Sequence, residues 1–137
     1  MTMNTVDTGD DLQVLLVEDS KLLADRLLEL ILEIDGIAAV AAVSTEQGAI
    51  EAINAHHPDV IVLDLRLEQG TGFNVMRHIN RSGGERPTII VITNYALPSY
   101  RKEADQLGAR YFLDKSRDFE QLPGILTTLR DERSSAS

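Results

Sequence analysis

Apolar and polar positions along this chain follow two rhythms. Short unbroken apolar runs stop abruptly at polar residues, and between them apolar residues recur every three or four positions. Val14-Leu15-Leu16-Val17 is the first run, and it ends at Glu18-Asp19. From Lys21 to Ile34, the residues Leu23, Leu27, Leu30, Ile31 and Ile34 share one stripe, the period of an amphipathic helix. Ser20 suits its N-cap, and Gly36 stands just past its end. Leu28 and Leu32 fall off that stripe, which fits either a broad buried face or an apolar contact for a partner. Ile37 to Val43 is a second strand-like run, weakened by four alanines. Ser44 to His56 predicts a helix, with Ser44 and Gln47 as a capping box.

The same alternation continues to the end of the chain. Val60-Ile61-Val62-Leu63 is a β-branched run that ends at Asp64. Gly70 and Gly72 flank Thr71 in a loop, and Phe73 to Ser82 predicts a third helix stopped by Gly83-Gly84. Thr88 to Ile92 is strongly strand-like and ends at Thr93. Pro98 opens a helix to about Leu107, with Gly108 as its C-terminal glycine. Tyr111-Phe112-Leu113 is a short strand before Asp114-Lys115. The last predicted helix runs from Asp118 to about Arg130, and Pro123 is tolerable there only near the first turn.

Strand and helix thus alternate five times. Apolar runs without polar alternation point to a parallel sheet covered on both faces, and right-handed crossovers distribute the helices over its two sides. The expected fold is α/β: a flavodoxin-like, doubly wound, five-stranded parallel sheet with five helices. Its order, 2-1-3-4-5, is the one common to such sheets rather than a consequence of this sequence.

Composition narrows the picture further. A chain of 137 residues, 43% hydrophobic, fits one compact domain. That domain is expected over residues 12–131, with a flexible segment 1–11 before it and a flexible tail 132–137 after it. There is no cysteine, which excludes disulfides and thiolate metal sites and fits a reducing compartment. Met1 to Asp11 lacks the basic start and apolar stretch of a secretory signal. No apolar run approaches the roughly 20 residues that span a bilayer. A cytoplasmic, membrane-free protein is expected. The 13 basic residues are scattered among 22 acidic ones, for a net charge of -9, which argues against direct nucleic-acid binding.

The candidate chemistry sits where the strands end. Glu18 and Asp19 end the first strand, Asp64 the third and Thr93 the fourth, and Lys115 follows the fifth. In a parallel sheet all carboxyl ends share one edge, so these residues can meet in one pocket. With order 2-1-3-4-5 the first and third strands are neighbours at the switch point, where open α/β sheets bind ligands. Three carboxylates held together repel one another, so their pKa values rise or a cation enters. An all-oxygen donor set with room for water favours Mg²⁺. Lys115 offers a point charge and Thr93 a hydroxyl to phosphate oxygens. Phosphoryl transfer needs mainly such positioning and charge stabilisation.

From about Leu12 to Arg130 the sequence resembles the receiver domain of two-component and phosphorelay signalling. The motifs that carry the resemblance are Leu15-Leu16-Val17-Glu18-Asp19, then Val60 through Leu67, then Gly70-Thr71-Gly72. Ile90-Val91-Ile92-Thr93 and Phe112-Leu113-Asp114-Lys115 follow in order. The resemblance implies a response regulator in which Asp64 accepts a phosphoryl group from a histidine kinase or histidine phosphotransfer protein. It implies Mg²⁺ on Glu18, Asp19, Asp64 and the backbone carbonyl of Arg66, with Thr93 and Lys115 contacting the phosphoryl group. Thr93 and Phe112 are then the switch residues that change affinity for a downstream effector. Arg66, Asn94 and Tyr95 are positions that tune phosphoryl lifetime. Such a protein catalyses only its own phosphorylation and dephosphorylation, and homodimerisation is left open.

This chain departs from the family's pattern at three positions. Glu68 and Ser116 stand where proline is common, which leaves a cis Lys115–Ser116 bond open, and Asn94 stands where a small residue is usual. Two other functions compete, besides a receiver-like domain that signals without phosphate, which the intact set of five site residues disfavours. One is the regulatory domain of a longer DNA-binding response regulator; the polar residues after the last helix favour a stand-alone form instead. The other is a metal-dependent phosphatase, disfavoured because Arg66 occupies the place where that class needs a second acid. His56, His57 and His78 read as surface residues remote from the acidic edge.

Overall fold

The computed structural model describes residues 11–136. The flexible segment expected before the domain lies, apart from Asp11, outside the described residues. The elements are β1 (Leu12–Val17), α1 (Lys21–Leu32), β2 (Ile37–Val43), α2 (Glu46–His56) and β3 (Val60–Leu63). They continue with α3 (Gly72–Ser82), β4 (Thr88–Thr93), α4 (Pro98–Gln106), β5 (Ala109–Asp114) and α5 (Leu122–Ala136). All neighbouring strands are parallel, in the order β2-β1-β3-β4-β5.

The central strands bury both faces, which is why they carry no polar alternation. Val14, Leu16, Val60, Val62, Ile90 and Ile92 point to one side, against Leu27 and Ile31 of α1 and Leu122, Leu126 and Leu129 of α5. Leu15, Val17, Ile61, Leu63, Ile89 and Val91 point to the other, against α2, Val75, Met76 and Ile79 of α3 and Ala104 of α4. Each fully buried Leu or Ile contributes about 1.5–3 kcal/mol by leaving water, so the two layers fix the register of every central strand. β2 is an edge strand, and its alanines lie mostly half-buried.

Several details differ from expectation. The N-cap of α2 is Thr45, whose Oγ1 accepts from Gly48 N at 3.0 Å. Ser44 instead donates to Glu68 Oε1, and Gln47 pairs with Glu51 one turn on, so no capping box forms between them. Leu28 packs with Leu23 and Ile34 against the α1–α5 core, whereas Leu32 is 61% exposed, so the two off-stripe leucines part company. The last helix starts later than expected, after a 3-10 turn at Phe119–Gln121, which puts Pro123 in its first turn. It also continues through the expected tail to Ala136. Ion pairs supply what apolar periodicity does not: Arg110 grips Glu132 at 3.1 Å through both nitrogens, and Arg133 reaches Asp59 and the Asp11 carbonyl. All described peptide bonds are trans, including Lys115–Ser116.

Candidate functional site

The parallel ladder delivers the polar strand ends to one edge. Glu18 N donates to Val43 O at 2.9 Å, Asp64 N to Val17 O at 3.0 Å and Lys115 N to Thr93 O at 2.9 Å. These bonds extend the sheet by one residue at each position and bring the side chains together. Glu18, Asp64 and Thr93 are the buried polar residues of the described chain, at 4%, 5% and 0% exposure. Asp19 is exposed at the rim. One carboxylate oxygen from each of Glu18, Asp19 and Asp64 lies within 4.8 Å of the others. The Lys115 ammonium sits 2.7 Å from both Glu18 Oε1 and Asp64 Oδ2.

The electrostatics follow from that crowding. Burial pushes the Glu18 carboxyl above its usual range, although the Lys115 ammonium and the Ser20 N–H at 3.0 Å draw it back. Burial works against the Lys115 charge too, but hydrogen bonds to Asp64 and Glu18 outweigh it and hold the ammonium above its ordinary value. Three carboxylates against one ammonium leave the pocket acidic. Glu18 Oε1 is buried, and apart from its ion contact with Lys115 no hydrogen bond is aimed at it. A hard divalent cation fits this oxygen-only set.

Of the remaining candidates, some adjoin the pocket and others lie away from it. Thr93 Oγ1 accepts from Tyr95 N at 3.1 Å. Arg66 N approaches Asp64 Oδ1 at 3.4 Å, and the Arg66 guanidinium lies 4.4 Å over the Tyr95 ring. Asn94 joins Lys115, Leu23, Arg26 and Phe119 around a cleft of about 330 Å³. Phe112 is half-buried beside Val91, with the Arg101 guanidinium 4.5 Å over its ring. His56 and His57 end α2 at the opposite edge of the sheet, and His78 meets Asn54 and Ser82 away from the acids. Sequence reasoning did not foresee the Glu18–Lys115 pair, nor the contact of Glu46 with the loop after Asp64. Neither has a local signal, since the partners lie far apart in the chain.

An open parallel sheet with three acids, a lysine and a buried threonine at its switch point defines a doubly wound α/β domain whose site suits a cation and a phosphoryl group. The chain belongs to the response regulator receiver domain family, whose family model matches residues 14–127. It is similar to the transcriptional regulatory protein DesR of Bacillus subtilis, 25% identical over 86% of this chain and 58% of that protein. It is also similar to protein-glutamate methylesterase/protein-glutamine glutaminase 6 of Anaeromyxobacter dehalogenans, 37% identical over 74% of this chain and 29% of that one. The fold is shared with the response regulator domain of Thermotoga maritima CheB, with a TM-score of 0.78 and 22% identity over 88% of this chain and 95% of that one. The chain thus spans little more than half, or less, of these curated relatives. No helix among the described residues is long and apolar enough to cross a membrane.

Proposed function

We propose that Asp64 is the phosphoacceptor of this receiver domain and that its phosphorylation state governs binding to an effector protein. The observation that carries the reading is the Lys115 ammonium at 2.7 Å from Asp64 Oδ2, inside a cluster completed by Glu18 and Asp19. A carboxylate oxygen of Asp64 attacks phosphorus. The P–N bond to a donor histidine breaks, and the imidazole nitrogen leaves with the electron pair. Lys115 meets the charge on the phosphoryl oxygens, and the Thr93 hydroxyl donates to one of them.

Glu18, Asp19, Asp64 and the Arg66 carbonyl are the groups that would hold Mg²⁺. When bound, Mg²⁺ offsets the carboxylate charge and lets a dianionic phosphoryl group approach. Thr93 and Phe112 act as the switch, and Arg66, Asn94 and Tyr95 set how long the phosphoryl group persists. A second reading, the regulatory part of a longer transcriptional regulator, draws support from the similarity to DesR, of which this chain covers 58%. In that case the effector is a domain of the same protein.

Incubation with Mg²⁺ and acetyl phosphate should add one phosphoryl group to the intact mass. Asp64→Asn should abolish the gain, and EDTA should suppress it in the wild type. A gain that persists in Asp64→Asn would move the acceptor elsewhere.

A further inference from the structure

The loop between Asp64 and α3 is fastened to the start of α2 by backbone bonds, by Ser44 and by the side chain of Glu46. Glu46 is the first residue of α2, and its backbone N–H donates to Gln69 O at 2.9 Å. Its carboxylate Oε1 accepts from Thr71 N at 3.1 Å and from Asn74 Nδ2 at 3.2 Å. Thr71 is the N-cap of α3, so this carboxylate faces the N-terminal ends of two helices, where negative charge is favoured. The approach is close enough to dictate a glycine. A Cβ at Gly70, where φ is +84°, would lie 2.2 Å from Glu46 Oε1 and 2.4 Å from Glu46 Cβ. Within the loop, Arg66 and Thr71 form a bridge and Gly72 N donates to Leu65 O at 2.9 Å. The position of Thr71 therefore sets the position of Arg66, whose N–H approaches Asp64 Oδ1.

We propose that Glu46 is a positioning residue for the phosphoacceptor site: by holding Thr71 with its carboxylate it keeps the Arg66 backbone at the acidic pocket, ready to help bind a divalent cation. The inference rests on the metal reading of Glu18, Asp19 and Asp64 given above. Glu46 touches none of the reacting groups, and it acts through the 65–71 loop. What matters is its reach, because the Thr71 amide of the loop and the Asn74 side chain of α3 both donate to Oε1. A glutamine keeps that oxygen without the charge. An aspartate keeps the charge, suits the first turn of a helix equally well and falls one methylene short.

Mg²⁺ titrations of the wild type, Glu46→Gln, Glu46→Asp and Glu46→Ala, read by calorimetry and by backbone amide NMR shifts, test this. Outer partners of metal ligands typically affect affinity 10–100-fold, and Glu46 acts one step further out. Weakening of about 5–10-fold is therefore expected in Glu46→Asp and Glu46→Ala, with Glu46→Gln close to the wild type. The Thr71 amide should lose protection from hydrogen exchange in the same two variants. Far-UV circular dichroism checks folding, and the Gln and Asp variants decide the matter if the Ala variant does not fold. Equal affinities in all folded variants overturn the proposal while leaving the phosphoacceptor reading intact. A Glu46→Gln variant as weak as Glu46→Asp overturns it in favour of a charge effect. Failure of the wild type itself to bind Mg²⁺ removes both readings.

Discussion

Two loops meet over Asp64, and they are held in different ways. The β3–α3 loop is tied at nearly every step. Glu68 N donates to Ser44 O, Gln69 O and Thr71 N are both bonded to Glu46, and Thr71 Oγ1 caps α3 through Asn74 N. The β4–α4 loop has far fewer ties. Its Tyr95 N–H leans on Thr93 Oγ1, Leu97 sits at the N-cap of α4 without a side-chain cap, and Tyr95 and Leu97 are 42% and 50% exposed. The contrast suits a switch. On the proposed reading, one loop holds cation ligands still, while the other follows Thr93 as its hydroxyl turns to a phosphoryl oxygen. That turn would put at stake the bond from Tyr95 N to Thr93 Oγ1.

The largest predicted effect tests how tightly the first loop is packed. A Cβ at Gly72 would lie 2.3 Å from the backbone oxygen of Asp64, and backbone cannot rotate away as a side chain can. Gly72→Ala should therefore cost about 2–3 kcal/mol, as forced overpacking does. It should also slow phosphorylation if Asp64 is the acceptor as proposed, because the shift begins there. Gly124, in the first turn of α5, has nothing within 4 Å of its added Cβ. Gly124→Ala should be neutral or gain up to about 1 kcal/mol from helix propensity. Urea unfolding of the two variants measures both, and similar losses in each would contradict the packing argument.

The tight loop was also the less legible one. The five apolar runs, the polar residues that end them and the cap of α1 at Ser20, whose Oγ accepts from Leu23 N at 3.3 Å, all rest on local signals that packing preserved. The α2 cap shifted from Ser44 to Thr45 because either hydroxyl satisfies the sequence rule, and contact with Glu68 diverted the first. α5 outran its apolar periodicity because Glu132 and Arg133 found partners in β5 and before β3. Glu46 was invisible as anything but an acid in a first helical turn, since Thr71 lies 25 residues away. Strand ends announce a site, whereas the contacts that hold its loops are tertiary and leave no period.

Next in size are the two helix caps, which should respond in opposite directions. Thr71→Ala removes the oxygen that accepts Asn74 N at 3.1 Å and should cost about 1 kcal/mol. Leu97→Asp supplies α4 with the cap it lacks and places a carboxylate at its N-terminus, and should gain about 0.5–1 kcal/mol. Urea midpoints give the two signs, and amide exchange should show the gain confined to α4. If Leu97→Asp destabilises instead, the exposed leucine has a packing role and the second loop is better held than its hydrogen bonds suggest.

The smallest effect lies where the loops touch. The Arg66 guanidinium stacks 4.4 Å from the centre of the Tyr95 ring, joining the second residue after Asp64 to the residue that leans on Thr93. A partly exposed pair of this kind is worth about 0.5–1 kcal/mol. A double-mutant cycle with Arg66→Ala, Tyr95→Ala and both together should return a coupling of that size in urea unfolding. The same cycle read on aspartyl-phosphate decay is more telling. If the pair acts as one clasp across the mouth of the site, either single substitution should change the decay rate and the second should add little. Fully additive rates would mean that the two loops act on the phosphoryl group separately, and the tight loop would then have no hold on the loose one.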